Sequence, residues 1–118
     1  MKSYDLLIHP AEDGTPFRRV DVIGTLDSHT VQGFEQSLHS LLDDGIPRLL
    51  LNIEQLTYIS SAGISALMGL THRLRQTNGE LVLLKPTEKV YRVFRTLGFT
   101  NIFKIVDSDT ELTAAFNL

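Results

Sequence analysis

With 118 residues, 42% of them hydrophobic and 21% charged, the chain has the size and composition of one globular domain and lies outside the disordered and fibrous classes. Eleven Lys and Arg against fourteen Asp and Glu give a formal charge of −3 with no basic stripe, which argues against nucleic acid as a partner. Cysteine is absent, so neither a disulfide framework nor thiolate chemistry is available.

In the first ten residues, MKSYDLLIHP, Asp5 and His9 interrupt a short apolar segment and make it too polar for the core of a signal peptide. No apolar run reaches the roughly 18 residues of a membrane span. The expectation is a single domain over residues 1–118, cytoplasmic and not inserted in a membrane. Tyr4 to Ile8 and Phe17 to Ile23 read as two strands, joined as a hairpin by a loop holding the turn formers Pro10, Asp13, Gly14 and Pro16. Val31, Phe34, Leu38, Leu41 and Leu42 mark an amphipathic helix, entered through Asp27, Ser28 and His29 and stopped near Gly45 and Pro47.

Leu49, Leu50 and Leu51, with Ile53, form an apolar run suited to a strand buried on both faces. Ile64, Leu67, Met68 and Leu74 then recur at helical spacing, so the chain passes from strand to helix between Tyr58 and Gly63. That helix is expected to end near Asn78 and Gly79, where a left-handed residue is comfortable. Leu81 to Leu84 gives a fourth strand closed by Pro86; Val90, Val93, Phe94 and Leu97 give a third helix before Gly98; Ile102 to Val106 gives a last strand. Ser108 and Glu111 have the spacing of a capping box for a final helix. Two strands followed by alternating helices and strands predict an α/β fold with a mixed sheet of four to five strands and about four α-helices.

The chemistry concentrates at Ser60 and Ser61. A hydroxyl is favoured at a helix start because its oxygen accepts a hydrogen bond from one of the first, otherwise unpaired amides. Two adjacent serines cannot both be the cap, and Ala62 and Gly63 add no bulk that would hide a neighbour, so one hydroxyl is expected to face solvent. A phosphate there would meet free amides and the positive end of the helix dipole.

Four segments together resemble the STAS domain family, and within it the bacterial anti-sigma-factor antagonists: Gly24-Thr25-Leu26-Asp27, the leucine strand from Leu49, the turn from Tyr58 to Ile64, and the segment from Pro86 to Phe94. The resemblance spans nearly the whole chain. In that family the turn commonly reads Asp-Ser-Ser-Gly or Asp-Ser-Thr-Gly, with the first hydroxyl residue phosphorylated by a partner kinase. Alignment on Gly63 gives that role to Ser61, with Ser60 the alternative; Ser60 itself stands where the family has aspartate, and Ala62 where it has the second hydroxyl. Asp27 matches the aspartate of the family's Gly-x-Leu-Asp motif, and His29 is expected at the same end of the sheet.

The resemblance thus implies a partner-binding surface of Asp27, Ser28, His29, Tyr58, Ile59, Ser60, Ser61, Ala62 and Gly63. Its partners would be an anti-sigma factor with serine kinase activity and a resetting serine phosphatase. The alternatives are a scaffold module that is never phosphorylated, in a signalling complex or transporter, and a sensor of a small anionic ligand.

Catalytic and metal readings find less support. Gly63-Ile64-Ser65 begins like a nucleophile elbow, but Leu67 stands where the second glycine is required. His9, His29, His39 and His72 lack the close pairing of a helix-borne zinc site. No phosphate-binding glycine loop is present, so no cofactor, metal or catalytic residue is assigned.

Overall fold

A computed structural model of the chain describes residues 4–12 and 14–118. Asp13, expected in the first loop, lies outside the described residues. Strand β1 (Tyr4–Ile8) pairs antiparallel with β2 (Arg18–Leu26), as expected of a hairpin. Helix α1 (Val31–Asp43) leads to β3 (Arg48–Asn52), and a short turn then leads to β4 (Leu56–Ile59). Helix α2 (Ser61–Gln76), β5 (Glu80–Leu84), α3 (Glu88–Thr96) and β6 (Lys104–Val106) follow, with a 3₁₀ turn (Asp109–Glu111) and the one-turn helix α4 (Leu112–Ala115) at the end.

The sheet runs β1-β2-β3-β5-β6, all parallel except β1, with β4 also paired to β2. Six strands exceed the expected four to five, and β4 accounts for the difference. Arg18 to Asp21 of β2 pair with β3; Gly24 to Leu26 pair with β4 along the same edge, across a register shift between Gly24 and Thr25. Strands β3 and β4 therefore act as two lengths of one interrupted strand. Asn52 closes the gap: its amide donates to Asp21 Oδ1 (3.2 Å) and its carbonyl oxygen accepts from Glu54 N (3.2 Å).

Alternation along β3 and β5 explains why both read as continuous apolar runs. Leu49, Leu51, Leu81 and Leu83 enter the main core with Phe34 and Leu38 of α1, Leu67 and Leu70 of α2, and Val90 and Phe94 of α3. Leu50, Val82 and Leu84 enter a second cluster on the other face, closed by Val106, Leu112 and Phe116. Phe17 belongs to this second cluster instead of to β2, its ring stacked on Phe116 at 5.1 Å.

Two further expectations are corrected at the C-terminal end. The last strand begins at Lys104, not Ile102, because the amides of Ile102 and Phe103 both donate to Phe99 O (3.0 Å each) in a turn. The Ser108–Glu111 capping box does not form: the Ser108 hydroxyl bonds to that of Thr110 (2.7 Å), and Glu111 accepts from Asp107 N (3.2 Å). At the end of α2, Asn78 takes the left-handed conformation (φ 61°). Gly79 follows because a Cβ there would lie 2.2 Å from the Pro47 carbonyl oxygen.

Candidate functional site

Parallel pairing brings the C-terminal ends of β2 and β4 together, with Thr25 opposite Tyr58 and Leu26 opposite Ile59. Ser60 N donates to Leu26 O at 2.9 Å, which joins the start of α2 to the turn that opens α1. Asp27, Ser28 and His29 thus lie beside Ser60 and Ser61 at one end of the sheet. This is the end at which open α/β sheets place their sites.

Ser60 is the cap. Its backbone is extended (φ −96°, ψ 176°), its Oγ accepts from Gly63 N at 3.4 Å, and its carbonyl oxygen accepts from Ile64 N at 3.0 Å. Ser61 is the first helical residue and is exposed, and its hydroxyl has no hydrogen-bond partner among the described residues. The amides of Ser61 and Ala62 precede any possible intrahelical acceptor. No acidic side chain stands in the first turn of α2 to offset the dipole, whereas Arg73 and Arg75 complement its last turn.

Gly63 fixes where the helix sits. A Cβ there would lie 2.7 Å from Ile59 Cγ1 and 2.8 Å from Leu26 O, so only glycine lets α2 approach the end of β2 this closely. Ile59 is buried in the core and Tyr58 is 43% exposed. Of the residues expected to meet a partner, Ser28, His29, Tyr58 and Ser61 present exposed side chains; Ser60, Asp27 and Ala62 are half-buried; Ile59 and Gly63 support from beneath.

Asp27 is occupied locally. Its Oδ1 accepts from the amides of His29 (2.8 Å) and Thr30 (3.2 Å), and its own amide donates to Thr30 Oγ1 (2.9 Å). The Thr30 hydroxyl in turn donates to Thr25 O (2.9 Å). The carboxylate therefore builds the turn that displays Ser28 and His29, and buried Thr30, which sequence reasoning passed over, locks it.

Thr87 and Lys89, at the start of α3, also belong to this neighbourhood. Thr87 caps α3 by accepting from Val90 N (3.2 Å), and its hydroxyl donates to Leu56 O (3.4 Å). Lys89 Nζ stands 5.7 Å from the centroid of the Tyr58 ring. The threonine before Glu88 was a readable cap signal, but its contact with β4 joins positions 31 apart in sequence.

The other histidines lie apart from this region: His9 bonds to Asp21 (3.0 Å), His39 to Arg73 (3.0 Å) and His72 to Gln76 (3.2 Å). Among the described residues no group of three His, Cys, Asp or Glu could hold a metal ion. Ser65 lies within α2, not on a strained turn. A cavity of about 560 Å³ is lined by Pro86, Glu88, Tyr91, Thr100, Ile105 and Asp107, not by Ser61 or its neighbours. No helix of the described residues is long and apolar enough to cross a membrane.

A strand pair thus ends beside two helix starts, with a capping serine followed by a free one. The STAS family model matches residues 12–112, and the chain belongs to that family. It is 37% identical over 93 residues, 79% of this chain and 80% of the relative, to BtrV of Bordetella bronchiseptica, which is provisionally named an anti-sigma factor antagonist. The fold matches that of an anti-sigma factor antagonist from Mycobacterium paratuberculosis (TM-score 0.83, 20% identity, 98% of this chain and 96% of that one). It also matches the Bacillus cell fate determinant SpoIIAA in its phosphorylated form (TM-score 0.70, 20% identity, 93% and 96%).

Proposed function

We propose that this chain is an anti-sigma factor antagonist of the cytoplasm. It captures an anti-sigma factor that is also a serine kinase, and it is released by phosphorylation of Ser61. The observation that carries this reading is the unpartnered Ser61 hydroxyl at the acid-free N-terminus of α2, beside the turn built by Asp27. Ser60 is the poorer acceptor because its oxygen already caps the helix. The relationship to BtrV and the fold shared with SpoIIAA support the same class.

A phosphate adds about −1.5 to −2 charges. On an exposed helix start it is tolerated by the free amides and the dipole. In a complex the same group must be desolvated, and one left unpaired there costs several kcal/mol. A cost of about 3 kcal/mol lowers affinity on the order of a hundredfold, enough to empty the complex. A serine phosphatase would restore binding. The partner surface is Ser28, His29, Tyr58 and Ser61, held by Asp27, Ile59, Ser60, Ala62 and Gly63.

The test compares partners captured by the wild-type, Ser61→Asp and Ser61→Ala proteins, identified by mass spectrometry. Loss of one ATP-binding kinase from the aspartate variant alone, with the alanine variant still binding, is the expected result. An identical partner set for all three would overturn the charge switch. It would favour a scaffold that is never phosphorylated, the reading to which Ser60 and Ala62 point by replacing the family's aspartate and second hydroxyl.

A further inference from the structure

Helix α3 buries Val90 and Phe94 and turns a different chemistry outward. Lys89, Arg92, Val93, Thr96 and Leu97 line a shallow depression of about 330 Å³. Its floor is apolar: Val93 is half-buried, and Leu97, one helical turn further on, is 54% exposed. Its margin carries Lys89 and Arg92. Lys89, Arg92 and Arg95 against Glu88 give the helix a net charge of +2 in a chain whose total is −3.

These cations are available. The Arg92–Glu88 pair (3.1 Å) is exposed on both sides, the kind of ion pair that contributes little. Among the described residues the Lys89 ammonium meets only the Tyr58 ring.

We propose that this face docks an acidic amphipathic helix of a protein partner, with an apolar side chain seated on Val93 and Leu97 and carboxylates reaching Lys89 and Arg92. Charge complementarity selects the occupant. A nucleic acid would use the cations and leave the apolar floor unfilled. An anionic membrane attracts each surface cation by only about 1 kcal/mol, and it would repel the negative remainder of the chain. An acidic amphipathic helix satisfies both floor and margin, and its i, i+4 ridge fits beside the Val93–Leu97 ridge. The surface goes beyond the phosphorylation switch and stands without it.

The test is an amide NMR titration of the full chain with a synthetic helical peptide carrying Leu and Glu at heptad spacing, and with its counterpart carrying Lys for Glu. Shifts confined to residues 88–98, given by the acidic peptide only and weakened about tenfold or more between low and high salt, are expected. Lys89→Glu/Arg92→Glu and, separately, Leu97→Ser should each weaken binding about tenfold, while Ser61→Asp leaves the titration unchanged.

Equal binding of the Lys peptide, shifts confined to residues 27–29 and 58–63, or no shifts at all would overturn the proposal. So would self-association that broadens the α3 signals, since a second copy would then cover the face. Loss of binding in Ser61→Asp would make the surface part of the switch and overturn its independence. A failed switch in the partner-capture experiment would leave these outcomes untouched.

Discussion

Helices α2 and α3 begin in nearly the same way and end up with different electrostatics. Each follows a parallel strand, and each has a hydroxyl cap accepting from the amide three residues on, Ser60 from Gly63 N and Thr87 from Val90 N. The next residue separates them: α3 opens with Glu88, whose carboxylate offsets the positive end of its own dipole, and α2 opens with Ser61, which offsets nothing. One helix carries an anion of its own at its start, and the other leaves that place without one.

The sharpest way to break this comparison is at Gly63. Gly63→Ala should destabilise the fold by about 1–3 kcal/mol, because the added methyl meets Ile59 and the Leu26 carbonyl. The matched control, Gly69→Ala, meets nothing within 4 Å inside the same helix and should stabilise it by about 0.5–1 kcal/mol. Urea midpoints compared at constant m-value check both. Removing the caps comes next. Ser60→Ala should cost about 1 kcal/mol, and Thr87→Ala at least as much because its hydroxyl also bonds Leu56 O. Equal stability of either variant with the wild type would show that the cap geometry is not realised in solution.

Exchanging the charges sharpens the contrast itself. Ser61→Asp should raise stability by about 0.3–1 kcal/mol at low ionic strength and Glu88→Gln should lower it by a similar amount, both effects shrinking as salt is added. A destabilised aspartate variant would mean that the α2 start does not welcome an anion.

The smallest effect lies away from both helix starts, at Asp21. Burial raises its pKa, but hydrogen bonds from His9 and Asn52 and the nearby charges of His9 and Arg19 outweigh this and hold it below the usual carboxylate value. A depressed folded-state pKa contributes stability above the unfolded value near ~3.9, and that contribution is lost as pH falls through the folded value. Asp21→Asn should therefore flatten the acid limb of the stability curve and leave the α2 and α3 variants' effects unchanged.

Much of this was legible before any coordinates. Strand β1 followed from the turn formers after it and the leucine strand from its uninterrupted apolar run, and since only one of two adjacent serines can cap, one exposed hydroxyl was expected. Alignment on Gly63 pointed to Ser61 by resemblance alone; that Ser60 is the cap rests on its extended backbone, which no residue type dictates.

Strand β4 escaped notice for a physical reason. In Leu56-Thr57-Tyr58-Ile59 the two ends are buried and the middle is exposed, so the alternation that marks a strand is broken. The register shift opposite, at Gly24 and Thr25, accompanies that irregularity, and it depends on a partner strand some thirty residues away. The false capping box at Ser108 shows the converse, since local spacing alone cannot ensure that the hydroxyl turns toward the helix.

The contact between Gly63 and Leu26 also bears on how fast and by what means the molecule could signal. The Ile59 side chain and the Leu26 carbonyl leave no room there for even a methyl group, and the Ser60–Leu26 hydrogen bond ties the same junction. So close a joint leaves little room for the helix start to shift against the strand. A phosphate added to Ser61 would alter the electric field over the surface while the chain beneath kept its shape, so the message would be complete as soon as the covalent bond formed, with no slower rearrangement to await.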